Sequence, residues 1–258
     1  MLELVHLAIR GISMIPATPR ALEALAMVDD GTPMPTKEDF ERARHEAELA
    51  DREVSEGFPV LHAQALLILW ALLEAAIREL LIDWLTNDPS RLQNEPFERV
   101  RIRVGEYERL QPPDRMQYVI EALERELGAP LQAGVSRFEA LLAAINLSGD
   151  VPDPLRKEIF EMSQVRNVVA HGAGLVDRRL GDGCPWLGLS PGDRLLLSHK
   201  QFEQYLHAVD SYATLVICRI AESFGVDVAK HREGVWSEYS TPPPASPPPS
   251  PAANKDTR

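Results

Sequence analysis

Residues 59–86 read PVLHAQALLILWALLEAAIRELLIDWLT. After Pro59 the stretch holds no proline and no glycine, and apolar side chains fall on nearly every face. That length and pattern predict a long helix enclosed by others, hence a central one. Pro59 suits the first helical turn, where its missing N–H would go unpaired in any case. Gly57-Phe58 before it marks the break from what precedes, and Asn87-Asp88-Pro89-Ser90 ends the pattern. The longest unbroken apolar run, Ala65 to Leu73, is nine residues. A membrane span needs about 20, and Glu74, Arg78 and Glu79 follow at once.

Moving outward, Thr36 with Asp39 resembles a capping box that opens a charged helix running to about Glu56. Beyond the central helix, helical patterns cover roughly 96–110, 113–127 and 134–147, divided by proline- and glycine-containing breaks. Asp153 as N-cap and Pro154 at the first helical position begin a helix that runs to His171, with Gly172 fitting a left-handed end. Residues 173–197 are punctuated by glycine and proline and predict a loop with a small hairpin near Leu195-Leu196-Leu197. Ser198 and Gln201 cap a last amphipathic helix to about Phe224. The expected class is therefore all-α: an antiparallel helical bundle over residues 36–237, with a small β-hairpin insertion before the last helix. Residues 1–35, broken by four prolines, read as an irregular N-terminal arm. Residues 238–258 read as a disordered tail, because TPPPASPPPSP at 241–251 can join neither a helix nor a sheet interior.

Composition excludes several classes. With 45% hydrophobic residues the chain is not globally disordered. Two cysteines, Cys184 and Cys218, make neither a disulfide scaffold nor a four-cysteine zinc site. A net charge of −12 argues against a general nucleic-acid coat, which needs excess Lys and Arg. The N-terminus lacks the features of a signal peptide, so a soluble cytoplasmic protein with reduced cysteines is expected. Neither phosphate-loop motif, GxxxxGK[ST] nor GxGxxG, is present. His6, His45, His62, His207 and His231 show no metal-ligand spacing, and no cofactor is expected.

One short motif carries chemistry. EMSQVRNVVAHGAG, residues 161–174, contains Arg166-Asn167-Val168-Val169-Ala170-His171, an R-x4-H arrangement. Arg194 to His199 has the same spacing, but it straddles an expected strand and a helix cap and reads as coincidence. At about 100° per residue, Arg166 and His171 lie about 140° apart and cannot share one face of an ideal helix. Gln164, Asn167 and His171 can. Arg166 sits at the edge of the apolar stripe formed by Leu155, Ile159, Met162 and Val169, where an arginine needs a carboxylate. Glu74, inside the central helix, is the candidate partner. The structural reading of these residues is an ion pair plus a histidine that favours the helix C-terminus.

This motif, the apolar helix with Trp70 and Glu74, and the closing helix together resemble the HEPN superfamily over roughly residues 40–225. The resemblance implies an α-helical bundle, commonly a homodimer. It also implies, in many members, a metal-independent endoribonuclease that acts in a toxin–antitoxin or antiviral system. It assigns His171 as acid/base and Arg166 as phosphate stabiliser, with Asn167 and Glu74 positioning them. RNA and an antitoxin protein are the implied partners. Members paired with an antitoxin often carry Tyr two positions after the histidine; here Ala173 stands there. A non-catalytic HEPN module that binds a partner or nucleotide, and an unrelated helical structural protein, remain as alternatives. Arg178 and Arg179 are candidate RNA contacts. Arg99, Arg101 and Arg103 read as a solvated helix with local ion pairs. The acidity is uneven: residues 150–200 carry seven acids and seven bases, so any nucleic-acid site is expected there.

Overall fold

The computed structural model describes residues 2–27, 34–93, 95–128 and 132–240. Among the described residues it is all-α: eleven α-helices are separated by turns, and no strand occurs. The tail from 241 onward lies outside the described residues.

Chain reversal at Gly57 and Phe58, both at positive φ, joins α3 (Lys37–Ser55) to α4 (Pro59–Asn87). The Thr36–Asp39 capping box forms at the start of α3, with Asp39 N–H donating to Thr36 Oγ1 and Thr36 N–H donating to Asp39 Oδ2. Along α4, Leu66, Leu69, Trp70, Leu73, Ile77, Leu81 and Leu85 are buried at helical spacing. They pack against α6 (Pro112–Glu126), α7 (Val135–Ala143), α8 (Asp153–His171) and α10 (His199–Ser223). The helix is central but not enclosed: Ile68 and Leu72, on its far side, are each 53% exposed.

Two buried polar networks fix the frame. Glu124 of α6 takes a bidentate fork from Arg78 of α4, at 2.6 and 2.9 Å. Glu139 of α7 accepts from Tyr212 Oη and Arg219 Nη1 of α10, each at 2.8 Å, and from the Gly149 N–H. Paired and hydrogen-bonded groups of this kind can stay buried without a large penalty. The ring of Phe138 lies between those of Trp70 and Tyr212. α7 is thereby held to both α4 and α10.

Four expectations fail. Residues 2–25 are helical, as α1 (Leu2–Met14) and α2 (Thr18–Leu25) with a 3₁₀ turn between them. Pro16 and Pro19 fall in first-turn positions, where proline is tolerated rather than disruptive. Residues 96–110 give only a 3₁₀ turn at Phe97–Arg99 and the single-turn α5 (Val104–Tyr107). Arg99-Val100-Arg101-Ile102-Arg103-Val104 alternates with period two, which no helix face can use. Arg99 and Arg103 do form local ion pairs, with Glu95 and Glu106. The hairpin before α10 is reduced to one antiparallel bridge, Leu175 with Arg194, because Asp177 caps the short α9 (Arg178–Gly183) between its arms. Finally, the helix that ends near Phe224 is not the last: α11 (Ala229–Ser240) follows within the expected domain, runs three residues beyond its expected end at 237, and packs on α10 and α8. There Tyr239 Oη donates to Glu158, and His207 contacts Glu238 at 2.8 Å. No helix among the described residues is long and apolar enough to cross a membrane.

Candidate functional site

α8 buries Leu155, Ile159, Met162, Val165 and Val168. Asp153 is its first residue rather than its cap. The last turn emerges from the core, so Arg166 and Asn167 are half-buried and His171, the final helical residue, is exposed. The left-handed residues that end it are Ala173 and Gly174, at φ +50° and +78°, and not Gly172. Gly172 is needed for room instead: a Cβ there would stand 3.0 Å from the carbonyl oxygens of both Val168 and Leu175.

A polar cleft of about 430 Å³ opens at this end of α8. Arg166, Asn167 and His171 line it together with Arg179. The 140° offset between Arg166 and His171 is bridged within one chain, since the cleft wraps the helix end with Asn167 between them. Arg166 Nη1 donates to Asn167 Oδ1 at 3.1 Å. Arg166 forms no ion pair among the described residues, and neither does Arg179. Gln164 turns away: it is buried and donates to Ser163 Oγ. Arg178 is exposed and does not line the cleft.

Glu74 is not the partner of Arg166. Its Oε1 stands 2.6 Å from Arg137 Nη1 and accepts from Trp70 Nε1 at 2.7 Å. Arg137, on α7, lines the same cleft, as do Trp70, Gln132 and Gly134. Gly134 precedes α7 at φ +61°, and a Cβ there would lie 2.8 Å from Phe160 Cα. Only glycine lets the start of α7 come this close to α8, and that approach makes the cleft wall. Reading the sequence missed Arg137 because no local spacing links residue 137 to residue 166. The nearest signal is a glycine three positions before an arginine at a helix start.

The cleft is thus lined by three guanidinium groups, an imidazole and two side-chain amides. The one carboxylate among its described lining residues, Asp177, is already used to accept from the Leu180 N–H. Such a lining favours an anion with several acceptor oxygens. Among the described residues no three His, Cys, Asp or Glu side chains come together as a metal-binding group. The cysteines are free and buried, and burial pushes the Cys184 thiol up to about 11, far from a ready nucleophile.

The second R-x4-H match lies elsewhere. Arg194 Nη1 stands 3.7 Å from Glu56, and His199 Nδ1 is 3.2 Å from Nε2 of the buried His62. Comparison with known proteins gives no match to any family model, curated protein or solved structure.

Proposed function

We propose that this chain is a metal-independent endoribonuclease of HEPN type, with an antiparallel bundle as its scaffold and a toxin or antiviral role. What carries the reading is the convergence of Arg166, Asn167, His171 and Arg179 in one polar cleft, with Arg166 unpaired by any carboxylate among the described residues. An arginine kept half-buried without a counter-ion is costly to the fold and useful to an anionic ligand.

The reaction needs little else. The substrate's 2′-oxygen forms a bond to phosphorus, the bond from phosphorus to the 5′-oxygen breaks, and a 2′,3′-cyclic phosphate remains. One proton leaves the 2′-hydroxyl and one is taken up by the departing oxygen. Imidazole is suited to either transfer near neutral pH, which gives His171 the acid/base role. Arg166 stabilises charge that builds on the phosphoryl oxygens. Asn167 orients the Arg166 fork, and Arg179 meets the RNA backbone. A second copy of the chain, meeting this one at the cleft, would supply the other proton-transfer group.

Cleavage of single-stranded RNA in EDTA tests this. Wild type should leave cyclic-phosphate ends, and His171→Ala should lose about 100- to 10,000-fold in rate, the usual worth of a general acid/base. Identical RNA decay by the two proteins would end the enzyme reading. In that case a non-catalytic phosphate- or nucleotide-binding module would account for the same cleft.

A further inference from the structure

Arg137 is buried like a structural arginine but is not satisfied like one. Its side chain is 18% exposed, and its one polar partner among the described residues is Glu74 Oε1, at 2.6 Å. A guanidinium carries five N–H donors in a plane. Arg219, 12% exposed, uses its fork on Glu139 Oε1, the Leu147 carbonyl and the Asp150 carbonyl. Arg78 places its fork bidentately on Glu124. Where this fold uses an arginine only to hold helices together, the guanidinium makes at least two hydrogen bonds. The donors that Arg137 leaves unmet belong to a side chain lining the cleft, alongside Arg166 and Arg179.

Glu74 explains why Arg137 stays in place without a ligand. One carboxylate oxygen anchors one end of the guanidinium, and the Trp70 indole N–H donates to that same oxygen. The fork is pre-set rather than mobile, which lowers the cost of binding. Arg166 reaches the cleft from α8 and Arg137 from α7, so the two cations come from different helices.

We propose that Arg137 is a phosphate-contacting residue of this site, held for that purpose by Glu74. The ligand class that follows is a single-stranded polynucleotide gripped through neighbouring phosphates, one at Arg166 and one at Arg137, in preference to a mononucleotide. This rests on the ribonuclease reading and extends it to a residue outside the R-x4-H motif.

The test is binding of a fluorescent 2′-O-methyl oligoribonucleotide of about ten nucleotides, which cannot be cleaved and covers one small site. Affinity is measured against salt concentration. Loss of one phosphate contact on a single strand reduces the slope of log affinity against log salt by about 0.7. The double variant Arg137→Gln with Glu74→Gln keeps the net charge of the chain, so a reduced slope reports the contact itself. We expect about tenfold weaker binding and that reduction in slope. Arg137→Lys keeps the ion pair with Glu74 but lacks the fork. It should weaken binding about threefold or more, and it decides the matter should the double variant not fold. Unchanged affinity and slope in a variant that melts as wild type does would overturn the role of Arg137 while leaving the site at Arg166 intact. If wild type binds no oligonucleotide, or if Arg166→Gln binds as well as wild type, the ribonuclease reading fails and this inference with it.

Discussion

Arg166–His171 and Arg194–His199 share one spacing and differ in nearly everything that matters for chemistry. The first pair ends a long helix at a polar cleft, and its arginine has no carboxylate among the described residues. The second straddles a β-bridge and a helix start. Its arginine pairs with Glu56, and its histidine is engaged by His62 and Glu203. A motif of two residue types therefore says little until it is known whether its donors are spent. The largest expected effect follows from that difference. His171→Ala should lower RNA cleavage by about 100-fold or more, whereas His199→Ala should leave it within about twofold, in assays at equal protein concentration. Equal losses from the two variants would erase the distinction.

Backbone constraints set the two regions apart as well. Gly134 forms the cleft wall at φ +61°, with Phe160 Cα 2.8 Å from any added Cβ. Gly192, just before the second pair, has φ +97° but open space around it. Gly134→Ala should cost about 2–4 kcal/mol, from strain plus a clash that neither backbone can relieve. Gly192→Ala should cost only about 1–2 kcal/mol, from strain alone. Chemical denaturation with a constant m-value measures both. Equal losses would show that the closeness of α7 and α8 is not rigidly enforced.

Much of this arrangement was legible in the sequence. The long apolar run at 59–86 and the Ser198 cap each specify a helix through strong local signals, and both helices form. The helix expected to run from Asp153 to His171 also forms, because Pro154 and the apolar stripe agree with each other. What failed had weak or misread local signals. Pro16 and Pro19 look like breakers unless their first-turn positions are known, and the arginine-rich segment at 99–103 hides a period of two. Of the residues singled out at the motif and just after it, Arg166, Asn167, His171 and Arg179 line one cleft, whereas Arg178 does not. Arg137 and the true partner of Glu74 carry no such signal, because both depend on how α7 lies against α8, α4 and α10, a tertiary fact set by Gly134, Phe138 and Glu139.

The second pair has a physical role that pH exposes. His62 is 1% exposed, and its Nδ1 has no hydrogen-bond partner among the described residues. Burial, and then the neighbouring His199, hold its pKa below the ordinary histidine value, against the pull of Glu53. A histidine buried in its neutral form supports the fold above its unfolded pKa, and that support is lost as pH falls through the lower folded value. Wild type should therefore lose melting temperature as pH drops below about 6.5, and His62→Leu should lose less. The Glu158 carboxyl, raised by burial, has the opposite effect: its contribution is present at low pH and is lost as pH rises. Since both proteins carry Glu158, the difference between their pH profiles isolates His62. Parallel profiles would remove the histidine pair as the source.

The smallest expected effect separates the two arginines on stability alone. The side chains of Arg194 and Glu56 are 54% and 30% exposed and stand 3.7 Å apart. Such a pair is worth about 0–1 kcal/mol, because water screens it and ordering two long side chains offsets the attraction. Arg194→Ala should thus change unfolding free energy by about 0.5 kcal/mol or less. Arg166→Ala, measured without RNA, should be equally small or slightly stabilising, because it removes a half-buried charge that no carboxylate among the described residues compensates. The two reasons are different: one arginine is weakly paired in solvent, and the other is half-buried beside the Asn167 amide. Added single-stranded 2′-O-methyl oligoribonucleotide distinguishes them, since it should raise the melting temperature of wild type and Arg194→Ala more than that of Arg166→Ala. A loss of several kcal/mol on Arg166→Ala would instead make Arg166 a structural residue, and the cleft would then owe its charge to the fold rather than to a substrate.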